Sequence, residues 1–274
     1  MKATNWPMIV ALALLSAPSL AAQGTHISSS SIRIEFDNSL HSRVVAFLGG
    51  KERVIGEFTP SEFIRVSGRD ITDFTRQKQL QQGVRDRFGL GVRDIVTGTA
   101  PAVKKTVTVT RYDAFPRVAF VDVEYTNTGS TDLAVSGWTN QHYSISAAAS
   151  AAQPAFWSYQ SGSYESRPDW VLPLKPGFKQ ENFLGMNAPD YGGGTPVVDV
   201  WCRDVGIAVG HVEMAPKLVS LPVATQGPER ATVAVEFKQD RVLKPGATLK
   251  TFSTFAAVHP VSYTHLTLPT NREV

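Results

Sequence analysis

Apolar and polar residues alternate with a period of two along most of this chain. The runs are short and often interrupted, which is the pattern of strands with one face buried and one face wet. In Ile32-Arg33-Ile34-Glu35-Phe36-Asp37 the apolar side chains take one face and the charges the other. Residues 103–111 repeat the pattern through Val107 and Val109, and Ala119, Val121, Val123 and Tyr125 follow with Asp122 and Glu124 turned to water. Further strands are predicted at 197–201, 205–212, 218–223, 232–237 and 248–258. Asn127-Thr128-Gly129 supplies a turn. So does Lys244-Pro245-Gly246, where proline presets φ and glycine accepts a positive one. Gly89-Leu90-Gly91 reads as another turn. Helical character is confined to a short stretch at 144–152, and no internal repeat is visible. Many short strands joined by Gly/Pro turns predict an all-β fold, a large antiparallel sandwich.

The stretch between Pro154 and Pro196 breaks this rhythm. It crowds Phe156-Trp157-Ser158-Tyr159, Tyr164, Arg167-Pro168-Asp169-Trp170, Phe178 and Asp190-Tyr191-Gly192-Gly193-Gly194 into one segment with no legible strand pattern. Long irregular insertions in a sandwich are disproportionately functional.

Composition narrows the function classes. Lys and Arg number 27 against 24 Asp and Glu, a formal charge of +3 over 274 residues, which argues against a nucleic-acid-binding field. A single cysteine, Cys202, excludes an internal disulfide framework and a multi-thiolate zinc site. A mean hydropathy close to zero excludes a polytopic membrane protein.

Both ends read as something other than fold. Lys2, the apolar run from Met8 to Leu15 and Ser19-Leu20-Ala21 have the layout of a secretory signal, so residues 1–21 are expected to be a signal peptide. The run is too short for a bilayer core of roughly 30 Å, and no membrane association is expected after cleavage. Export leaves four of the five tryptophans in the mature chain and puts a lone thiol in an oxidising compartment, periplasmic or extracellular, so Cys202 is expected to be buried or incidental. Residues 260–274 (PVSYTHLTLPTNREV) depart from everything before them and resemble a read-through of sequencing-adapter DNA. The expected division is therefore a signal at 1–21, one sandwich domain at 22–259 and a non-native tail at 260–274.

The aromatic insertion carries the best chemical lead. Indole rings stack on the flat C–H faces of sugars, while carboxylates and amides bind the hydroxyls. A stacked tryptophan burying on the order of 100 Å² gains roughly 2–3 kcal/mol. Trp157, Trp170, Asp169, Asp190 and Tyr191 have that chemistry; the same residues also suit a loop merely pinned onto the sandwich. Gly192-Gly193-Gly194 lacks the Lys-Ser/Thr and the helix of a phosphate cradle and reads as a loop that lets another surface approach the backbone. His211 and Glu213 share one face of a predicted strand, but two ligands do not make a metal site, and a histidine facing a polar partner is the simpler reading. No spacing around Cys202 suggests a nucleophile–base pair. Asp122, Glu124, Asp199 and Asp204 read as solvated strand and turn charges. A retaining glycosidase pair would need two carboxylates about 5–5.5 Å apart.

Taken together, Arg167-Pro168-Asp169-Trp170-Val171-Leu172-Pro173-Leu174, Glu181-Asn182-Phe183-Leu184-Gly185-Met186-Asn187 and the run DYGGGTPVVDVWCRD at 190–204 resemble the N-terminal domain of melibiase-type α-galactosidases. The likeness continues through residues 206–213 and the closing Leu243-Lys244-Pro245-Gly246, and covers most of 31–259. It implies a β-supersandwich preceding a (β/α)₈ barrel in a secreted glycoside hydrolase of clan D, hydrolysing α-galactosides with retention and needing no metal or organic cofactor. Both catalytic aspartates would lie on the barrel. A barrel needs about 250 residues, and nothing in this chain is left over to build one, so no catalytic residue is expected here. Trp157, Trp170, Asp190 and Tyr191 are the expected substrate-binding residues, on the surface facing the sugar or the barrel. Cys202 departs from the polar or basic residue expected at its position. The alternative is a free-standing carbohydrate-binding or structural sandwich.

Overall fold

The computed structural model describes residues 25–28, 31–147, 154–160, 170–184, 195–213 and 218–261. The expected signal segment lies outside them, as does the expected tail beyond Val261. Asp169, Asp190, Tyr191 and the triple glycine also lie outside. Among the described residues every regular element is a strand, and every pairing is antiparallel.

The chain opens with β1 (Thr25–Ser28), β2 (Ile32–Phe36), β3 (Ser42–Leu48) and β4 (Lys51–Val54), a small sheet in sequential order. Two short strands, β5 (Phe63–Val66) and β6 (Arg69–Ile71), found a second sheet. A meander then follows in β7 (Thr75–Asp86), β8 (Gly89–Ala100), β9 (Val103–Tyr112) and β10 (Val118–Asn127). The long β11 (Leu133–Ser146) returns to β5. Next come β12 (Phe156–Tyr159), β13 (Val171–Leu174), β14 (Lys179–Gln180), β15 (Phe183–Leu184), β16 (Val197–Trp201) and β17 (Val205–His211). The chain closes with β18 (Val219–Ser220), β19 (Val223–Thr225), β20 (Arg230–Leu243), β21 (Thr248–Lys250) and β22 (Thr254–Pro260). The largest sheet runs β13-β12-β16-β17-β22-β10-β9-β8-β7, with β21 also on β10. The second runs β14-β19-β20-β11-β5-β6, with β18 on β20 and β15 on β18.

Alternation decides which face of the large sheet is buried. Along β10, Ala119, Val121, Val123 and Tyr125 are fully enclosed while Phe120, Asp122 and Glu124 stay half-exposed. Val107 and Val109 of β9, Val198 and Val200 of β16, Ile207 and Val209 of β17, and Ala256 and Val258 of β22 continue the same apolar layer. Against it pack β11 and β20 of the second sheet at one end and β2 and β3 of the small sheet at the other. Each fully buried valine or isoleucine contributes about 1.5–3 kcal/mol, so this layer holds the sandwich together.

Two predicted turns hold with their mechanisms. The Asn127 side chain accepts the Gly129 N–H at 2.9 Å and donates to the carbonyls of Thr131 and Leu243, both at 2.8 Å, tying the β10–β11 turn to the end of β20. Gly246 adopts φ +77° and the Ala247 N–H closes on the Lys244 carbonyl at 2.9 Å.

Four local readings need correction. Residues 144–146 are not helical: Ser144, Ile145 and Ser146 pair with Thr232, Ala231 and Arg230, so cross-strand bonding overrides the helix propensity of the alanines that follow. The insertion is not wholly irregular, because Phe156–Tyr159 and Val171–Leu174 form a hairpin that extends the edge of the large sheet. The strand expected at 218–223 divides into β18 and β19, since Pro222 has no N–H for the ladder. The strand expected at 248–258 divides at 251–253 into β21 and β22.

Candidate functional site

The hairpin added by the insertion shapes the face of the large sheet that points away from the core. In β12, Phe156 and Ser158 are buried, so period two turns Trp157 and Tyr159 outward. Trp157 lies opposite Trp201 of β16, and Tyr159 lies opposite Asp199. Trp201 is opposite Gly206 of β17, which is opposite His259 of β22. Residues directly opposite on antiparallel strands share a face, so these side chains form one row across four strands.

Aromatic groups build the walls of this row. Trp170 stacks on Tyr159 with centroids 6.2 Å apart and planes at 19°, and remains 38% exposed. The Tyr159 hydroxyl is 3.0 Å from the Thr195 hydroxyl. The Trp201 ring meets His259 edge-on at 6.5 Å, and its indole N–H is enclosed without a partner among the described residues. A buried polar relay backs the strip: Asn182 donates to Gln160 at 2.6 Å, Gln160 to the Ser158 hydroxyl at 2.5 Å, and Ser158 to the Asp199 carbonyl at 2.6 Å. The relay fixes β12 against β16, so Trp157 and Tyr159 stand on a held strand.

The charged centre of the row is Asp199 with His259. His259 Nε2 sits 2.8 and 3.0 Å from the two carboxylate oxygens of Asp199, reaching across β17. That reach requires glycine at 206, because a Cβ there would run into the His259 imidazole and the Trp201 Cβ. Burial opposes the imidazolium charge, but the Asp199 hydrogen bond and charge outweigh it and hold the His259 pKa above the usual histidine value. Asp199 is therefore half-buried and ion-paired, not the solvated charge its sequence context suggests. Further along the same face, Phe120 stacks on Phe88 at 5.8 Å beside Tyr112 and the exposed Phe115.

Of the four predicted substrate-binding residues, Trp157 and Trp170 thus fall on one side of the hairpin, and Asp190 and Tyr191 lie outside the described residues. Composition did not single out Tyr159, Asp199, Trp201 and His259; the spacing-two recurrence of Trp157 with Tyr159 and Asp199 with Trp201 was the available signal. His211 and Glu213 do not share a strand face: β17 ends at His211, and the Glu213 backbone N–H donates to His211 Nδ1 at 3.2 Å. Among the described residues no group of three or more His, Cys, Asp or Glu is placed to hold a metal ion. Cys202 is buried, with its Sγ 3.3 Å from the Asp204 carboxylate, and burial raises its thiol pKa. The Asp204 side chain itself is largely exposed.

Such a surface offers flat rings for C–H faces and a carboxylate and an imidazolium for hydroxyls. No protein-family model matches the chain. In sequence it is similar to the A type blood alpha-D-galactosamine galactosaminidase of Flavonifractor plautii, 24% identical over 207 residues that make up 72% of this chain and 18% of that enzyme. In fold it is similar to the α-galactosidase from Lactobacillus brevis, with a TM-score of 0.60 and 10% identity over 89% of this chain and 40% of that one. It also resembles a Glycoside Hydrolase Family 97 enzyme from Pseudoalteromonas sp. strain K8, with a TM-score of 0.54 and 10% identity over 86% of this chain and 35% of that one. The chain spans less than half the length of each of these three proteins, and what it shares with the two solved structures is the β-sandwich fold.

Proposed function

We propose that this chain is the N-terminal, non-catalytic β-supersandwich of an exported glycoside hydrolase acting on α-galactosides or α-galactosaminides. Hydrolysis belongs to a separate barrel that carries the catalytic aspartates. The observation that carries this reading is one of coverage: 72% of this chain aligns with 18% of a galactosaminidase. The similarity is therefore to one module of a longer enzyme.

On this reading the row Trp157, Tyr159, Trp170, Asp199, Trp201 and His259 is the surface that meets the barrel or the sugar, with Asp190 and Tyr191 completing it. Asp199 is neutralised by His259 at 2.8 Å, which suits it to accept hydrogen bonds and not to deliver a proton. The test has two parts. The purified chain, offered p-nitrophenyl α-galactoside and p-nitrophenyl α-N-acetylgalactosaminide, should release no nitrophenol. Continued sequencing of the source locus past the His259 codon should enter βα repeats with aspartates at strand ends. In the complete enzyme, Trp157→Ala and Trp170→Ala should raise KM or lower kcat/KM without lowering Tm. Hydrolysis by the chain alone would refute the division of labour.

A second reading, a carbohydrate-binding module acting alone, is favoured by the exposed Trp170 and the unpartnered Trp201 N–H. It predicts saturable galactose or N-acetylgalactosamine binding by the isolated chain in calorimetry, lost in Trp170→Ala.

A further inference from the structure

Between the two large sheets, β11 leaves its regular register after Asn140 and resumes it at Tyr143. This bulge turns two consecutive side chains, Asn140 and Gln141, into the interior, both fully buried. It also puts Gln141 at φ +55°, in the left-handed region that side-chain-bearing residues avoid. Both amides have a fixed orientation. Thr254 Oγ1 donates to the Val121 carbonyl at 3.1 Å and so accepts from Gln141 Nε2 at 3.0 Å. Thr251 Oγ1 donates to the Phe252 carbonyl at 3.2 Å and accepts from Asn140 Nδ2 at 2.9 Å. The two carbonyl ends, Asn140 Oδ1 and Gln141 Oε1, are enclosed and bond nothing among the described residues.

The opposing sheet supplies the complementary group. His211 ends β17 directly opposite Thr254, the residue that holds Gln141. Its Nδ1 accepts the Glu213 N–H at 3.2 Å. Burial lowers its pKa, although the Glu213 charge pulls the other way. The neutral ring with Nδ1 accepting carries its proton on Nε2, and that N–H is also enclosed and unpartnered among the described residues. A strained bulge thus delivers two acceptors and one donor, all unsatisfied, to one zone between the layers.

We propose that Asn140, Gln141 and His211 form a binding site for one neutral hydroxyl group, that of an enclosed water or of a carbohydrate. The two carbonyl oxygens accept from O–H and the His211 Nε2–H donates to the oxygen. Two facing carbonyl oxygens repel an anion, and a protonated Nε2 cannot ligate a metal ion. Water fills all three bonds, whereas a sugar hydroxyl, with its single proton, satisfies one carbonyl and the imidazole.

The test is a high-resolution crystal structure of the full chain, grown without sugar and after soaking in galactose or N-acetylgalactosamine. Long-range ¹H–¹⁵N correlation spectra of ¹⁵N-histidine-labelled protein accompany it. One ordered oxygen within about 2.7–3.2 Å of the three atoms, with His211 as the Nε2–H tautomer and a cross-peak from that proton to solvent oxygen-bound hydrogen, is the expected result. Persistence of that oxygen after soaking identifies the source as water, and replacement by a sugar oxygen identifies it as carbohydrate. An empty gap, amides turned to bond other protein groups, or His211 with its proton on Nδ1 would each overturn the proposal. The spectra use the unaltered chain, so the outcome does not depend on a variant that folds.

Discussion

Lys105 lies on β9 with no exposed surface, its Nζ donating to the carbonyls of Leu40 at 3.1 Å and Glu62 at 2.9 Å and standing 4.6 Å from the centre of the Phe74 ring. The Glu62 side chain is buried beside it. Burial pushes the Glu62 carboxyl up to about 7 against the opposing pull of Lys105, and burial draws Lys105 down to about 8 against the pull of Glu62. Lys105→Met keeps the stem but removes the charge and strips two enclosed carbonyls of their donor. One of these belongs to Leu40, already at φ +55°. Breaking a buried pair from one side costs about 3–5 kcal/mol, which lowers Tm by roughly 6–20 °C in a domain of this size. Glu62→Gln preserves shape, removes a carboxyl that already resists ionising, and should cost about 1 kcal/mol. The double variant should be more stable than the sum of the singles, because a neutral amide at position 62 has no charge to leave uncompensated when the cation goes. The pH profile adds a signature. Between 4.5 and about 7 the folded state holds the Glu62 proton that the unfolded chain releases, so this group lowers stability as pH rises through that window. Between about 8 and 10.5 the unfolded chain holds the Lys105 proton that the folded state has released, so stability climbs again. Urea titrations of the wild type and three variants at several pH values measure all of this. A Lys105→Met loss below about 1 kcal/mol, strict additivity, or an alkaline rise that survives in Lys105→Met would refute the reasoning.

Gly206→Ala should cost about 1–3 kcal/mol by overpacking and drive His259 off Asp199, so NMR titration should find the His259 pKa lowered once burial acts alone. The raised His259 pKa means the pair stabilises the fold below pH 6.5 and loses that contribution as pH rises through the folded value; Asp199→Asn should erase this limb in pH-dependent thermal melts. Asn127→Ala, which strips three hydrogen bonds from the β10–β11 turn, should cost about 2–4 kcal/mol in denaturant titration. Cys202 should react with a disulfide reagent at least about a hundredfold faster in denaturant than in buffer, since burial both hides the thiol and disfavours its thiolate.

The strands legible in the sequence are those with one face on the apolar layer. β9 and β10 read clearly because valine alternates with threonine, aspartate or glutamate, and β2 reads clearly for the same reason. β7 does not read at all. Its residues from Thr75 to Asp86 are almost wholly polar and exposed, and it is a strand because β8 offers it a ladder, not because its own side chains seek a core. The β12–β13 hairpin hides for another reason. Four residues are too few to display a period, and Pro173 looks like a breaker until its place on the terminal strand of the sheet order leaves one side of its backbone free of the ladder.

The site divides along the same physical line. Trp157 and Trp170 stand out by composition, since exposed or half-exposed indoles in a polar segment are conspicuous. Asp199 and His259 stand 60 residues apart, and neither has a local neighbour that betrays the other. Only the order β16-β17-β22 makes them neighbours at one remove, and only a glycine on the intervening strand lets the imidazole cross. The informative residue was therefore Gly206, in a run whose valines and isoleucine made it look like simple strand filler. The same logic applies at Gly210, where a Cβ would meet the Phe255 ring and the Pro196 carbonyl. With Ala208 between them, β17 presents hydrogen, methyl and hydrogen toward the outer face. This is a shallow floor between the Trp157–Trp201 wall and the Phe255–Phe120 wall. A strand that gives up side chains on its solvent face forgoes cross-strand packing there, and the sacrifice is intelligible if another surface, sugar or protein, lies against that floor.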